Sequence, residues 1–369
     1  MRLLYFSFFL VFLFFSGSLK LLPAQDLSGA VQFSGRKCLP GYGFKKAADP
    51  RMFQGNKKKK GYFEGWYFKM VSGDGQSILS IIPGISLSSD GKEQHAFIQV
   101  IDGKTARTFY YTFPIEAFSF SRKDFAIAIG QNYFSANKLS LNLHDDSSSF
   151  SGEVHMKGLT ELPSGRILNP GIMGWYRFVP FMQCYHGVVS LTHDLEGTLV
   201  MDGQVFGFNG GKGYIEKDWG SSMPSAWIWM QSNNFSNSEA SFMLSVANIP
   251  WLGRSFTGFL GFFYMDEEIR RFATYTRARL DMKQKGSDTL RIQIDDKRTI
   301  YHIEAIHKSA GLLKAPVGGS MDRRITESID ATLKLTVMDR QGNVMFKDSS
   351  TISGLELVGD QEILKVKKE

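Results

Sequence analysis

Gly207-Phe-Asn-Gly-Gly-Lys-Gly-Tyr-Ile-Glu-Lys-Asp-Trp-Gly220 packs carboxylates, aromatics and glycines into one short run. In an extended chain successive side chains point to opposite faces, so Tyr214, Glu216 and Asp218 share one face while Ile215, Lys217 and Trp219 share the other. Two acids and a phenol therefore converge. The next run, Pro224-Ser-Ala-Trp-Ile-Trp-Met-Gln-Ser-Asn233, repeats the period, with Trp227, Trp229 and Gln231 on one face and Ile228 and Met230 on the other. A solvent-facing strand does not spend two tryptophans on one face, and a core strand does not carry two carboxylates there. The combination implies a lined cavity.

Working outward, the signals are almost wholly β. Gln76-Ser-Ile-Leu-Ser-Ile-Ile82, His95-Ala-Phe-Ile-Gln-Val-Ile101, Phe125-Ala-Ile-Ala-Ile129, Leu139-Ser-Leu-Asn-Leu143, Gly187-Val-Val-Ser-Leu191, Ser241-Phe-Met-Leu-Ser-Val246 and Leu290-Arg-Ile-Gln-Ile294 are short strand-like runs. Between many of them stand the hairpin turn signals Asp74-Gly75, Asp90-Gly91, Asp102-Gly103 and Asp202-Gly203. Helical candidates are brief, so the expected fold class is all-β, a sandwich or barrel. At 369 residues the chain can hold two domains, and the 14% aromatic content, with 31 Phe, favours large apolar surfaces facing inward. The expected divisions are residues 1–24, a signal peptide or N-terminal anchor; 25–60, a basic linker; and two β domains, 61–200 and 201–369, the second opened by the turn at Asp202-Gly203.

The run around Asp218, with Met173-Gly-Trp-Tyr-Arg-Phe-Val-Pro-Phe-Met-Gln-Cys-Tyr-His-Gly187 before it, Ile249-Pro-Trp-Leu-Gly253 after it and the early Gly61-Tyr-Phe-Glu-Gly-Trp-Tyr-Phe-Lys69, resembles the tocopherol cyclase family. The resemblance extends from about Lys45 to Phe263. It implies two lipocalin-like antiparallel halves packed together, and a cofactor-free cyclisation of a prenylated hydroquinone to a chromanol. Where the family is expected to carry Glu, this chain has Gln183.

Such a ring closure needs a proton for a trisubstituted alkene, a stabilised tertiary cation and attack by the phenol oxygen, but no metal, flavin or nicotinamide. A buried carboxylic acid whose pKa is raised by desolvation or a like-charged neighbour is a suitable donor. Asp218 and Glu216 are the candidate pair, and Glu64, which shares a face with Tyr62 and Trp66, is the alternative. Trp66, Trp227 and Trp229, with Trp219 on the face away from the acids, are the aromatic faces for a cation; Tyr185, His186 and Tyr214 complete the expected substrate-contacting set. Equally, Glu216 and Asp218 can serve an ion-pair network with Lys217, Lys212 or Arg177, and His186 can be a packed core histidine. Trp175 and Trp251, each beside Gly or Pro, read as structural. A carrier of a quinone, carotenoid or other isoprenoid lipid is the alternative function.

Other chemistry lacks its signature. Gly210-Gly-Lys-Gly213 has neither phosphate-loop spacing nor the following Ser or Thr, His186 and His193 lack partners at metal-ligand spacing, and there is no Gly-x-Ser-x-Gly elbow. The net charge of +7 is partly concentrated in Lys45, Lys46, Arg51 and Lys57-Lys-Lys-Lys60, which is either a solvated loop or a patch for anionic lipid headgroups; nucleic acid is not an expected partner. Leu3-Leu-Tyr-Phe-Ser-Phe-Phe-Leu-Val-Phe-Leu-Phe-Phe15 is too short for a comfortable membrane span and fits a signal-peptide core, so export to the periplasm or a membrane-peripheral location is expected. Two cysteines, Cys38 and Cys184, make no disulfide framework.

Overall fold

A computed structural model describes residues 30–33, 39–163, 171–180, 182–285, 288–308 and 310–364. Residues 1–24 and Cys38 lie outside the described residues. The chain is all-β, two lipocalin-like antiparallel halves packed together. Strands between Val31 and Gly220 form a 13-stranded sheet, and those from Trp227 to Val358 form a 10-stranded sheet. Every strand-like run named above lies wholly or largely in a strand. At Asp202-Gly203 both residues have positive φ, 50° and 82°. This is the backbone of a two-residue hairpin turn, and it joins Cys184–Met201 to Gln204–Gly207.

The change of sheet falls between Gly220 and Trp227, later than the sequence division at residue 200. The reason is pairing: both Gln204–Gly207 and Gly211–Gly220 hydrogen-bond back to Cys184–Met201. Gly211–Gly220 also pairs with Tyr62–Val71 and so joins the far ends of the first half.

Three apolar clusters follow from the alternation. Trp66, Phe68, Ile215 and Trp219 fill the interior of the first half. Ile228, Met230, Phe263 and Leu355 fill that of the second. Tyr67, Val188, Tyr214, Trp227, Trp229 and Ile329 form a third cluster where the halves meet. The central strands are thus covered on both faces, which is why they carry large apolar groups at consecutive positions. Burying each such side chain contributes roughly 1.5–3 kcal/mol.

Polar bonds fix one half against the other. Lys69 Nζ, only 1% exposed, donates to Gln231 Oε1 at 3.2 Å and to the Ile352 carbonyl at 3.0 Å. Asn233 Nδ2 donates to the Gly213 carbonyl at 2.8 Å, and Ser241 Oγ to that of Leu191 at 2.6 Å. Among the described residues no helix is long and apolar enough to cross a membrane.

Candidate functional site

The register of two neighbouring strands builds the centre of the site: His186 pairs with Asp218, and Val188 with Glu216. His186 Nδ1 lies 2.9 Å from Asp218 Oδ1, and its Nε2 lies 3.4 Å from Glu216 Oε2. The same Glu216 oxygen accepts from the Tyr214 hydroxyl at 2.5 Å and from Trp229 Nε1 at 3.2 Å. Burial alone would strip His186 of its proton, but the carboxylates of Glu216 and Asp218 outweigh it and push the imidazole up to about 10. His186 is therefore an imidazolium held between two carboxylates at neutral pH. Asp218 is the most open of the three, with 28% of its side chain exposed.

These groups face a cavity of about 180 Å³ between the sheets. Its walls are mainly apolar, with Met173, Tyr176 and Met182 from the connection before the His186 strand and Phe259, Leu260 and Ile325 from the second half. Trp227 and Trp229 form the wall beside the acids. Trp229 fits because Gly354 has no side chain: a Cβ there would meet the indole at 2.5 Å. Its ring meets that of Tyr67 edge to face, with centroids 5.3 Å apart. The guanidinium of Arg323 lies 4.9 Å from the centre of the Trp227 ring.

Of the residues singled out in the sequence, Glu216, Asp218, His186, Trp227 and Trp229 come together on the cavity wall. Tyr214 stands behind them, its hydroxyl bound to Glu216. Glu64, Trp66 and Trp219 do not join them, because they point through the other face of the sheet into the first half. Glu64 is completely buried there. It accepts from the backbone N–H of Gln54 and Gly55 and from the Tyr62 hydroxyl, and it pairs with Lys217. Lys217 Nζ also sits 4.4 Å from the Trp66 ring and 4.9 Å from that of Trp219. Tyr185 stacks on Trp219 at 5.6 Å and donates to the Val179 carbonyl. None of the three cations considered as partners for Glu216 and Asp218 takes that place: Lys217 pairs with Glu64, Lys212 with Asp194, and Arg177 donates to Lys46 O and Gln54 Oε1. Trp175, read as structural, is 52% exposed. Gln183 lines the cavity with a neutral amide, next to Cys184, a free thiol.

Sequence reading missed a second pair of acids. Glu356 lines the cavity from the second half, and Glu327 lies directly across from it on the adjacent strand. Trp229 flanks Glu356 on its other side. Trp227 Nε1 donates to Glu356 Oε2 at 2.5 Å, and the Tyr67 hydroxyl donates to Glu327 Oε1 at 2.5 Å. Burial raises the Glu356 carboxyl to about 8; the Trp227 bond opposes this, while the charges of Glu216 and Asp218 reinforce it. Glu327 is raised well above the usual carboxylate range by burial and by Glu356. In sequence, Glu356 is a lone acid between Leu355 and Leu357, so no local pattern marks it.

Ligand atoms of His186, Glu216 and Asp218 fall within 4.8 Å of one another, close enough for one cation to span. Hydrogens already occupy much of that donor set, however: His186 bonds to Asp218, while Tyr214 and Trp229 bond to Glu216. The arrangement suits holding and moving a proton.

Comparison with known proteins gives the family and the fold. The sequence profile described as "Tocopherol cyclase-like" matches residues 164–359, a span containing His186, Glu216, Asp218, Glu327 and Glu356. A probable chloroplastic tocopherol cyclase of Oryza sativa subsp. japonica is 31% identical over 74 residues, covering 20% of this chain and 16% of that protein. The chloroplastic tocopherol cyclase of Zea mays is 30% identical over 74 residues, with the same coverage. The match thus spans under a fifth of these relatives' own length. In three dimensions the crystal structure of CghA aligns with a TM-score of 0.52 at 10% identity, covering 90% of this chain and 98% of that one, a likeness of fold.

Proposed function

The chain belongs to the tocopherol cyclase-like family, and from that premise we propose that it closes a prenylated hydroquinone to a chromanol in the cavity between its two halves. One observation carries this reading: a buried His186 held between Asp218 and Glu216 opens onto an apolar cavity walled by Trp227 and Trp229. The apolar walls suit the prenyl chain, and the polar end suits the hydroquinone oxygens.

The reaction is an isomerisation. A proton adds to the less substituted alkene carbon, the tertiary cation forms, and the phenol oxygen closes the ring as it loses its own proton. Indole faces stabilise a desolvated cation by roughly 1–2 kcal/mol each, and Trp229 is held rigidly by its bond to Glu216. Asp218 is the open carboxylate positioned to take the phenol proton, and its bond to His186 orients it. Glu216 and Tyr214 fix the imidazole from the other side.

Anaerobic incubation of the purified protein with a methylated hydroquinone bearing a three-isoprene tail, followed by chromatography, tests the reading; chromanol is the expected product. A second reading has its own observation in the Gln183 amide, a neutral group on a cavity wall where the family resemblance leads one to expect an acid. On that reading the protein carries an isoprenoid quinone without converting it, and the same assay would give tight binding with no chromanol. Either way we place the protein at or near a lipid surface after export, with the basic run Lys57–Lys60 facing anionic headgroups.

A further inference from the structure

We propose that Glu356 is the acid that protonates the alkene, so that the cavity is a two-sided catalytic site with its donor on the second half and its acceptor, Asp218, on the first. The proposal rests on the ring-closure reading above and names the group that reading leaves unassigned.

Geometry carries the argument. Glu356 and Asp218 line one cavity from different sheets, so substrate bound between them has one carboxyl group on each side. Glu356 is a direct cross-strand neighbour of Trp229 on one side and of Glu327 on the other, and residues so paired have Cβ atoms about 4.5–5.5 Å apart. Two carboxylates at that spacing in a dry site cannot both be ionised, so the pair retains a proton. Glu327 cannot deliver it: it is 1% exposed, lies behind the wall and is tied to Tyr67, which in turn accepts from Ser80 Oγ at 2.8 Å. Its other oxygen, Oε2, has no hydrogen-bond partner, as suits a carboxyl that is not a bare anion. Glu356 is the member that reaches the cavity, and Trp227 and Trp229 flank the place where positive charge would develop. Once the proton has left, the Trp227 N–H supports the carboxylate that remains.

In the step, the Glu356 O–H bond breaks and the alkene π pair forms a C–H bond at the less substituted carbon. A phenol oxygen lone pair then forms the C–O bond at the tertiary carbon. The phenol O–H bond breaks, and its proton passes to the Asp218 carboxylate. Nothing is oxidised or reduced. The proton returns from Asp218 to Glu356 through water once product has left. The ionisable or charged groups facing Glu356 are Glu327 on its neighbouring strand, Glu216, Asp218 and His186 across the cavity, and Arg323 over the Trp227 ring, with Lys69 acting on Glu327.

The test uses the full chain with the three-isoprene hydroquinone. Glu356→Gln should lower kcat by about 10²–10⁴-fold, with KM and quenching of tryptophan fluorescence by the substrate within threefold of wild type. Glu356→Asp should recover part of the rate. Wild-type kcat should fall as pH rises through about 8. In the infrared, wild type at pH 7 should show protonated-carboxyl absorption whose intensity Glu356→Gln lowers. Chromanol formed by Glu356→Gln at the wild-type rate, or no such band in wild type, would overturn the donor role alone. Wild type that binds the hydroquinone and yields no chromanol would overturn the ring-closure reading and the donor role with it.

Discussion

Glu64 and Glu216 lie on neighbouring paired strands, both are buried, and they face opposite ways through the sheet. Glu64 looks into the first half and is saturated by two backbone N–H groups, a tyrosine hydroxyl and the Lys217 ammonium. Glu216 looks toward the cavity, where its positive neighbour is an imidazole that can give up its proton. The difference teaches that burial and pairing do not by themselves mark a working acid. A carboxylate saturated by main-chain N–H groups and a fully buried ammonium, away from any cavity, holds the fold together. One beside an imidazole at a cavity wall stands where a substrate can reach it.

The sharpest way to break this comparison is to neutralise each side. Glu64→Gln leaves Lys217 buried without its counter-charge and should cost about 3–5 kcal/mol in urea unfolding, by far the larger effect on stability. If the variant unfolds like wild type, the structural assignment of Glu64 fails. Asp218→Asn, which leaves Glu216 facing His186, should cost less stability than Glu64→Gln while lowering chromanol formation by roughly 10²-fold or more; a wild-type rate would remove Asp218 from the chemistry.

Acidity offers an intermediate effect. The folded-state pKa of His186 is raised from an ordinary 6.5 to about 10, so the folded protein holds the extra proton in that range. Its stabilisation is full below pH 6.5 and is lost as pH climbs to about 10, at up to about 1.4 kcal/mol per pH unit. Lys217, lowered to about 8 by burial against the pull of Glu64, acts in the opposite sense at higher pH. The clean readout is therefore the stability of wild type minus that of His186→Gln, which should shrink between pH 6.5 and 8; a flat difference would show that the imidazole is neutral. The smallest effect belongs to Trp229→Leu, which should slow turnover about fivefold to thirtyfold through loss of roughly 1–2 kcal/mol of cation stabilisation, with rates measured at saturating hydroquinone.

Alternation made much of this legible. It separated Tyr214, Glu216 and Asp218 from Ile215, Lys217 and Trp219, and it put Glu64 with Tyr62 and Trp66. What it does not contain is which face meets the cavity. Strands covered on both sides carry large apolar groups on both, so Trp66 and Trp219 look as well suited to a ligand as Trp227 and Trp229. His186 meets Asp218 only through the pairing of two strands, and Glu356 meets Trp229 and Glu327 only through the pairing of three. Such partners are set by register, which a single segment does not encode. The later change of sheet has the same origin: the turn at Asp202-Gly203 was readable, but the return of Gly211–Gly220 onto the preceding long strand was not.

That Gly211–Gly220 strand, paired on its far side with Tyr62–Val71, has a consequence for how the protein is made. The first half cannot close until its last strand exists, so a nascent chain must hold the unpaired edge of Tyr62–Val71 open while everything up to Gly220 is synthesised. Pairing so distant in sequence is slow, because the entropy of closing the loop must be met before contacts repay it. An open strand edge rich in aromatic residues is also a site for association with other chains. The strand that carries Glu216 and Asp218 is thus also the strand whose arrival completes the first half, and the cavity-lining face and the finished sheet appear in the same event.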